Sequence, residues 1–107
     1  MRGLERVTQP TLDVLEALLS AEGLELHGWA ITKATQRTGP TVYKILERLT
    51  VGGLVTARWE SEHPEPGKPR RRFYRLTPTG AERARGLLAQ HRPGSARGMR
   101  PAFGAGG

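Results

Sequence analysis

Apolar residues recur along most of the chain with a period that changes twice. In TLDVLEALLSAEG, Leu12, Leu15, Leu18 and Leu19 fall at helical spacing, and Val14 widens the face. Thr8 or Thr11 suits the N-cap, Pro10 the first turn and Gly23 the stop, which predicts a helix over residues 10–22. HGWAITKATQRTG carries Trp29, Ala30, Ile31 and Ala34 and predicts a shorter helix over residues 28–36. Its glycine and β-branched content lowers helix propensity, so tertiary packing must hold it. GPTVYKILERLTVGG has the sharpest pattern: Val42, Ile45, Leu46 and Leu49 at i, i+3, i+4 and i+7 bury one face. Thr38 or Gly39 caps this helix, Pro40 lies in its first turn, and Gly52 and Gly53 end it.

From Leu54 the period drops to two. LVTARWESE sets Val55, Ala57 and Trp59 on one side, and RRRFYRLT offers Phe73, Tyr74 and Leu76. HPEPGKP between them cannot continue a ladder, so the two strands form a hairpin with a polar, basic tip in solvent. TPTGAERARGLLAQH returns to helical spacing over residues 78–90, with a threonine cap, Pro78 in the first turn and Glu82 near the positive end of the dipole. Ala81, Ala84, Leu87 and Leu88 face inward. After His91 no periodicity remains. The pattern gives a mainly α fold with a small β-hairpin, in the order α-α-α-β-β-α. That is the layout of a winged helix-turn-helix, with the third helix for the major groove and the hairpin as wing. The expected organisation is a winged-helix domain over residues 1–77, a C-terminal dimerisation helix over 78–91, and a disordered basic Gly/Pro-rich tail over 92–107.

Composition narrows the partners. At 107 residues one domain is expected. The absence of cysteine excludes a disulfide scaffold and a thiolate zinc site. No run of about 18 apolar residues offers a membrane span, and the N-terminus lacks the regions of a secretory signal, so a cytoplasmic location is expected. The net charge of +7 is unevenly spread: residues 1–25 carry −3 and residues 26–107 carry +10. Such a basic surface is either the footprint of a polyanion or a solvated, solubilising face. His27, His63 and His91 match no metal-ligand spacing; His27 is expected to cap or pack the second helix. Glu60, Glu62 and Glu65 stand in a turn without the buried setting a general acid requires. With no phosphate-cradling or dinucleotide fingerprint either, the reading is a non-enzyme with no cofactor and no metal.

The basic residues form a different constellation. Lys68, Arg70, Arg71 and Arg72 follow Gly67 across the hairpin tip, with Arg58 and Arg75 on the strands. Pro64, Pro66 and Pro69 stiffen the tip, and the arginine fork suits phosphate and a narrow minor groove. On the third helix the filled apolar face leaves Thr41, Lys44 and Arg48 outward, and the helix N-terminus offers backbone N–H groups to a phosphate. Lys44 can read guanine or touch phosphate, and Thr41 can meet a thymine methyl or a phosphate. Glu47 is expected to pair with a nearby cation. Tyr43 either packs between helix and wing or donates to phosphate.

GPTVYKILERLTVGGLV followed by GKPRRRFYRLTPTG resembles the PadR family of transcriptional regulators, with its Gly-Thr-Val-Tyr-Pro-Ile-Leu type recognition helix and Gly-Arg-Pro-Arg type wing leading to Tyr-Tyr-Arg-Leu-Thr. HGWAITKATQ is similar to that family's His-Gly-Tyr opening of helix two, and the likeness spans residues 11–85. It implies a winged-helix repressor that dimerises on a palindromic operator in double-stranded DNA. By position it implies DNA contact by Thr41, Tyr43 and Lys44, with Gly67, Lys68, Pro69 and Arg70 forming the wing; Thr38 and Arg48 of the helix and Arg71 and Arg72 after the tip complete the expected DNA-binding set. Lys44 replaces the usual proline, and the short C-terminal region resembles short-form members, which dimerise through one C-terminal helix and the first helix. Here that implies Leu15, Leu19, Ala84, Leu87 and Leu88. Some short members bind flat aromatic effectors at the dimer interface, where Trp29 and Trp59 would take part; core or wing packing is the plainer expectation for both. Two other readings stay open: a winged-helix adaptor for an acidic protein partner, and a non-specific DNA- or RNA-binding module.

Overall fold

The computed structural model describes residues 7–60 and 71–93. Helix α1 (Gln9–Ser20) starts at Thr8, whose Oγ1 accepts a hydrogen bond from the Thr11 N–H at 3.4 Å. It stops two residues earlier than the sequence predicts. Ala21 is extended, and a 3-10 turn over Glu22–Leu24 is made by Gly23 at φ +69°, a left-handed conformation that glycine adopts without strain. Strand β1 (Glu25–His27) follows, then α2 (Gly28–Thr35), α3 (Gly39–Val51), β2 (Val55–Trp59), β3 (Arg72–Leu76) and α4 (Pro78–His91).

The hairpin expected from the sequence is therefore part of a three-stranded antiparallel sheet, ordered β1-β3-β2. Tyr74 lies at its centre, opposite Leu26 on one side and Ala57 on the other. A three-residue strand is too short to display an alternation, which is why β1 escapes a reading by periodicity.

One core joins every helix to the sheet. Leu15 and Leu18 of α1, Ile31 of α2, Val42, Leu46 and Leu49 of α3, Val55 and Leu76 of the strands, and Ala84 of α4 are all essentially inaccessible to solvent. This corrects one expectation. Leu15, Ala84 and Leu88 are buried inside their own protomer and have no surface left for a second copy. Only Leu19 and Leu87 of that set stay partly accessible. An apolar stripe has the same periodicity whether it meets a core or a partner, and here α4 spends it on α1 and β3.

Arg92, the first residue of the expected tail, is held firmly. Its guanidinium donates to Asp13 Oδ1 at 2.8 Å, Glu16 Oε1 at 2.8 Å and Gln9 Oε1 at 2.6 Å. The other oxygen of Asp13 accepts from Arg37 Nε at 2.9 Å. One carboxylate thus ties the turn before α3 to the residue after α4. Its side chain is only 22% exposed, so these charge-assisted bonds are weakly screened. Asp13→Ala is expected to lower stability by about 2 kcal/mol, since it leaves two half-buried guanidinium groups short of a partner. Urea unfolding measures this, and a loss of a few tenths or less would place the network among ordinary surface pairs. No helix among the described residues is long and apolar enough to cross a membrane.

Candidate nucleic-acid interface

Helix α3 presents the surface that its core face leaves over. Val42, Ile45, Leu46 and Leu49 point inward; Tyr43, Lys44, Glu47 and Arg48 are exposed and Thr41 is half-buried. Thr38 occupies the N-cap but makes no side-chain cap bond; its hydroxyl donates instead to Thr41 Oγ1 at 3.1 Å. The first-turn N–H groups therefore keep their donors for an outside acceptor. Among the described residues Lys44, Glu47 and Arg48 form no ion pair.

Tyr43 packs at the joint of α2, α3 and β3 and keeps an exposed edge. Its ring lies so close to Gly28, the first residue of α2, that a Cβ there would meet the tyrosine hydroxyl and stand 2.6 Å from Cε1. It tilts against Tyr74 with centroids 6.4 Å apart, yet remains 44% exposed. Gly28 thus lets α3 and α2 close up.

The base of the wing is closed by Glu60 N–H donating to Arg71 O at 2.7 Å and Arg71 N–H donating to Glu60 Oε1 at 3.0 Å. Arg58 is engaged on the sheet: it forms a two-toothed pair with Glu25 at 2.9 and 3.1 Å and stands 4.6 Å from the Phe73 ring centre. Arg72 lies 4.8 Å from the Trp59 ring centre. Gly67, Lys68, Pro69 and Arg70 lie outside the described residues. The wing residues that are described, Arg71 and Arg72, line one cleft together with Tyr43 of α3, and His27, Gly28, Trp29, Trp59 and Tyr74 complete its wall.

Of the core or wing packing expected for the two tryptophans, the core half does not hold, while Trp59 packs within the hairpin against Arg72. Trp29 is 63% exposed and Trp59 52%, so neither packs in the core. Trp59 continues the inward side of β2 but lies at the strand end, where Arg72 stands over its ring. Phe73 and Trp29 flank His27, the first edge-on at 5.8 Å and the second stacked at 6.3 Å. His27 caps α2, its Nδ1 accepting from the Ala30 N–H at 3.3 Å. Burial, and then the Arg71 charge, lower the His27 pKa below the ordinary imidazole value. Burial raises the Tyr74 pKa above its ordinary value. Among the described residues no group of three carboxylate, histidine or cysteine side chains is placed to hold a metal.

Similar proteins bear on this arrangement. The model of the transcriptional regulator PadR-like family matches residues 14–86. No curated protein sequence matches the chain. Among solved structures, Bacillus subtilis PadR in complex with operator DNA is 24% identical at a TM-score of 0.62, over 78% of this chain and 48% of that one. The S. aureus MepR–DNA complex is 24% identical at a TM-score of 0.64, over 84% and 62%. The PcaV transcriptional regulator of Streptomyces coelicolor, solved with its natural ligand, is 25% identical at a TM-score of 0.61, over 92% and 62%. The first four solved structures span regulators of which this chain covers 57%, 62%, 59% and 48%. These likenesses carry the winged-helix fold, and the family match extends over more than half of the sequence: the chain belongs to the PadR-like family of transcriptional regulators.

Proposed function

We propose that this protein regulates transcription by binding a palindromic operator as a homodimer, most simply as a repressor. Each protomer lays α3 in a major groove and its wing on the flanking backbone or minor groove. The observation that carries this reading is a shared face. Tyr43 of α3 and Arg71 and Arg72 of the wing line one cleft, and Lys44 and Arg48 are exposed on the same helix. The DNA complexes of PadR and MepR, proteins of the same fold, support duplex DNA as the partner.

The proposed roles divide by chemistry. Lys44, the side chain that stands where the family has a proline, meets a base edge; Thr38, Thr41, Arg48, Arg71 and Arg72 meet phosphates, joined by Lys68 and Arg70 from the wing tip. The second copy meets the outer face of α4, where Leu87 lies half-buried among Thr79, Glu82, Arg83, Gly86 and Gln90, and the accessible edge of Leu19. Two-fold symmetry then spaces the half-sites by about 10 base pairs or a multiple.

Selection of bound fragments from a random duplex pool, with competitor DNA present, tests the reading. A palindrome with that spacing is expected. Unselective retention of DNA and RNA, or no retention at all, would overturn it. Sedimentation at micromolar concentration is expected to give twice the protomer mass of 11.7 kDa; a single protomer mass refutes the homodimer. On the selected operator, Lys44→Ala is expected to lower the operator-to-random affinity ratio about tenfold or more, the loss of a base contact being worth roughly 1–3 kcal/mol. If operator and random DNA weaken equally, Lys44 is a phosphate contact.

A further inference from the structure

Both ends of α3 are tied to α4. Beyond its C-terminus the Leu54 carbonyl accepts the Thr77 N–H at 3.0 Å and lies against Gly80, in the first turn of α4. Before its N-terminus the tie runs through a single carboxylate on α1. Asp13 Oδ2 accepts from Arg37 Nε at 2.9 Å, and Oδ1 accepts at 2.8 Å from the guanidinium of Arg92, the C-cap of α4. Arg92 also donates to Glu16 and Gln9, so it meets the carboxylate from a fixed side.

Little else holds the N-terminal end. The apolar face of α3 begins at Val42, and Gly39, Pro40 and Thr41 are not buried. The Thr38 hydroxyl stays within the turn, on Thr41. The link from α2 is three residues long and opens with Gln36 at φ +58°, a left-handed conformation that a side chain disfavours and that the surroundings must hold. Arg37 follows at once and carries the tertiary contact. A core face sets the depth of a helix, but the tilt of an end without an apolar anchor is left to directional bonds. A charge-assisted bond to a half-buried carboxylate is the strongest kind on hand. Asp13 itself stands apart from the proposed DNA face. It lines a groove between α1 and α2 with Ala17, Ala34 and Thr35, whereas Tyr43, Arg71 and Arg72 line another.

We propose that Asp13 is a positioning residue for operator recognition. Through Arg37 it fixes the tilt of the first turns of α3, which carry Thr41 and Lys44, and through Arg92 it refers that tilt to α4. Because α4 carries the proposed partner, α3 is then aligned to the two-fold axis of the dimer as well as to the core. The consequence for DNA rests on the proposed regulator function; the hold on α3 does not.

The hold is measured in the full chain without DNA, by residual dipolar couplings of the backbone N–H groups. Asp13→Asn keeps the shape of the side chain and removes its charge. In this variant the couplings of residues 39–44 are expected to leave the fit that the rest of the fold keeps. Couplings that stay on the native fit overturn the hold. The DNA arm uses the selected operator, at a temperature where circular dichroism shows every variant folded. There Asp13→Asn is expected to lower the operator-to-random affinity ratio about tenfold with the salt slope unchanged. The sign is diagnostic, since removing an acidic group from a cationic protein strengthens binding to any duplex by charge alone. A variant that binds DNA as well or better, with the ratio kept, overturns the role. Arg37→Gln is expected to match Asp13→Asn, and the double variant to lose no more than either single one. If Arg37→Gln instead flattens the salt slope by about 2, Arg37 is a phosphate contact and the positioning role falls. A native chain that selects no operator refutes the DNA reading, while the couplings still decide whether Asp13 holds α3.

Discussion

Gly80→Ala is expected to cost about 3 kcal/mol, whereas Gly86→Ala in the same helix is expected to stabilise. The two glycines are separated by less than two turns of α4, so both substitutions bring the same gain in helix propensity, about 0.5–1 kcal/mol. They differ in what the new methyl meets. At Gly86 nothing lies within 4 Å. At Gly80 a Cβ would collide with the Leu54 carbonyl oxygen and stand 2.8 Å from its carbon. Those are backbone atoms and cannot swing aside. The same carbonyl accepts the Thr77 N–H at 3.0 Å, and the Thr77 hydroxyl donates to Gly53 O at 3.0 Å and caps the Gly80 N–H at 2.9 Å. Moving α4 outward by enough to admit a methyl breaks this joint and opens the core at Ala81 and Ala84. Overpacking of this kind reaches about 3 kcal/mol, which for a domain of this size lowers Tm by about 12–24 °C. Thermal unfolding of the pair decides it: equal melting temperatures would mean that α4 does not rest on the turn before β2. In the proposed dimer this joint also sets the distance between the two α3 helices, because α4 carries the partner and Leu54 follows α3 directly.

That joint was invisible in the amino-acid pattern, and the reason is general. Periodicity reports which side of an element is buried and says nothing about which other element covers it. Val42, Ile45, Leu46 and Leu49 announce an inward face on α3, and the outward position of Lys44 and Arg48 follows by subtraction. The same logic fails at Leu15, Ala84 and Leu88, where a stripe that suits a dimer is consumed by the protomer's own core. Core packing, one of the two expectations for Trp29 and Trp59, fails because their positions, at a helix start and a strand end, lie beyond the reach of the core. Gly28 reads as a helix opener and Gly80 draws no reading; the use of both is close approach, to a tyrosine ring and to a backbone carbonyl, and a close approach has no signature in one sequence. Arg92 stands among Gly, Pro and basic residues that suggest a loose tail, yet four acceptors on α1 collect it. The motifs of the recognition helix and wing were legible because they are local. The cleft between them joins residues from five elements, β1, α2, α3, β2 and β3, together with the residue just before β3, and needed the fold.

Binding to the selected operator is expected to fall about a thousandfold between 50 and 200 mM salt. The magnitude follows from counting charges. Among the described residues Lys44, Arg48, Arg71 and Arg72 are cations on or beside the proposed face without an ion-pair partner, and two copies double the set. If about six phosphates are neutralised by the dimer, log K falls against log salt with a slope near −5, because each neutralised phosphate releases a condensed counterion worth about −0.9. A fourfold rise in salt then removes about three decades. The variants separate this term from recognition. Arg71→Ala removes one phosphate contact in each protomer, so the slope should flatten by about 2 and operator and random DNA should weaken together. Lys44→Ala should act on their ratio instead. A protein-binding adaptor built on the same fold would show no such slope on DNA, and a non-specific module would show it for any duplex. Measured slopes near zero, or a slope that Arg71→Ala leaves unchanged, would mean that the charge beside α3 has another purpose than the phosphate backbone.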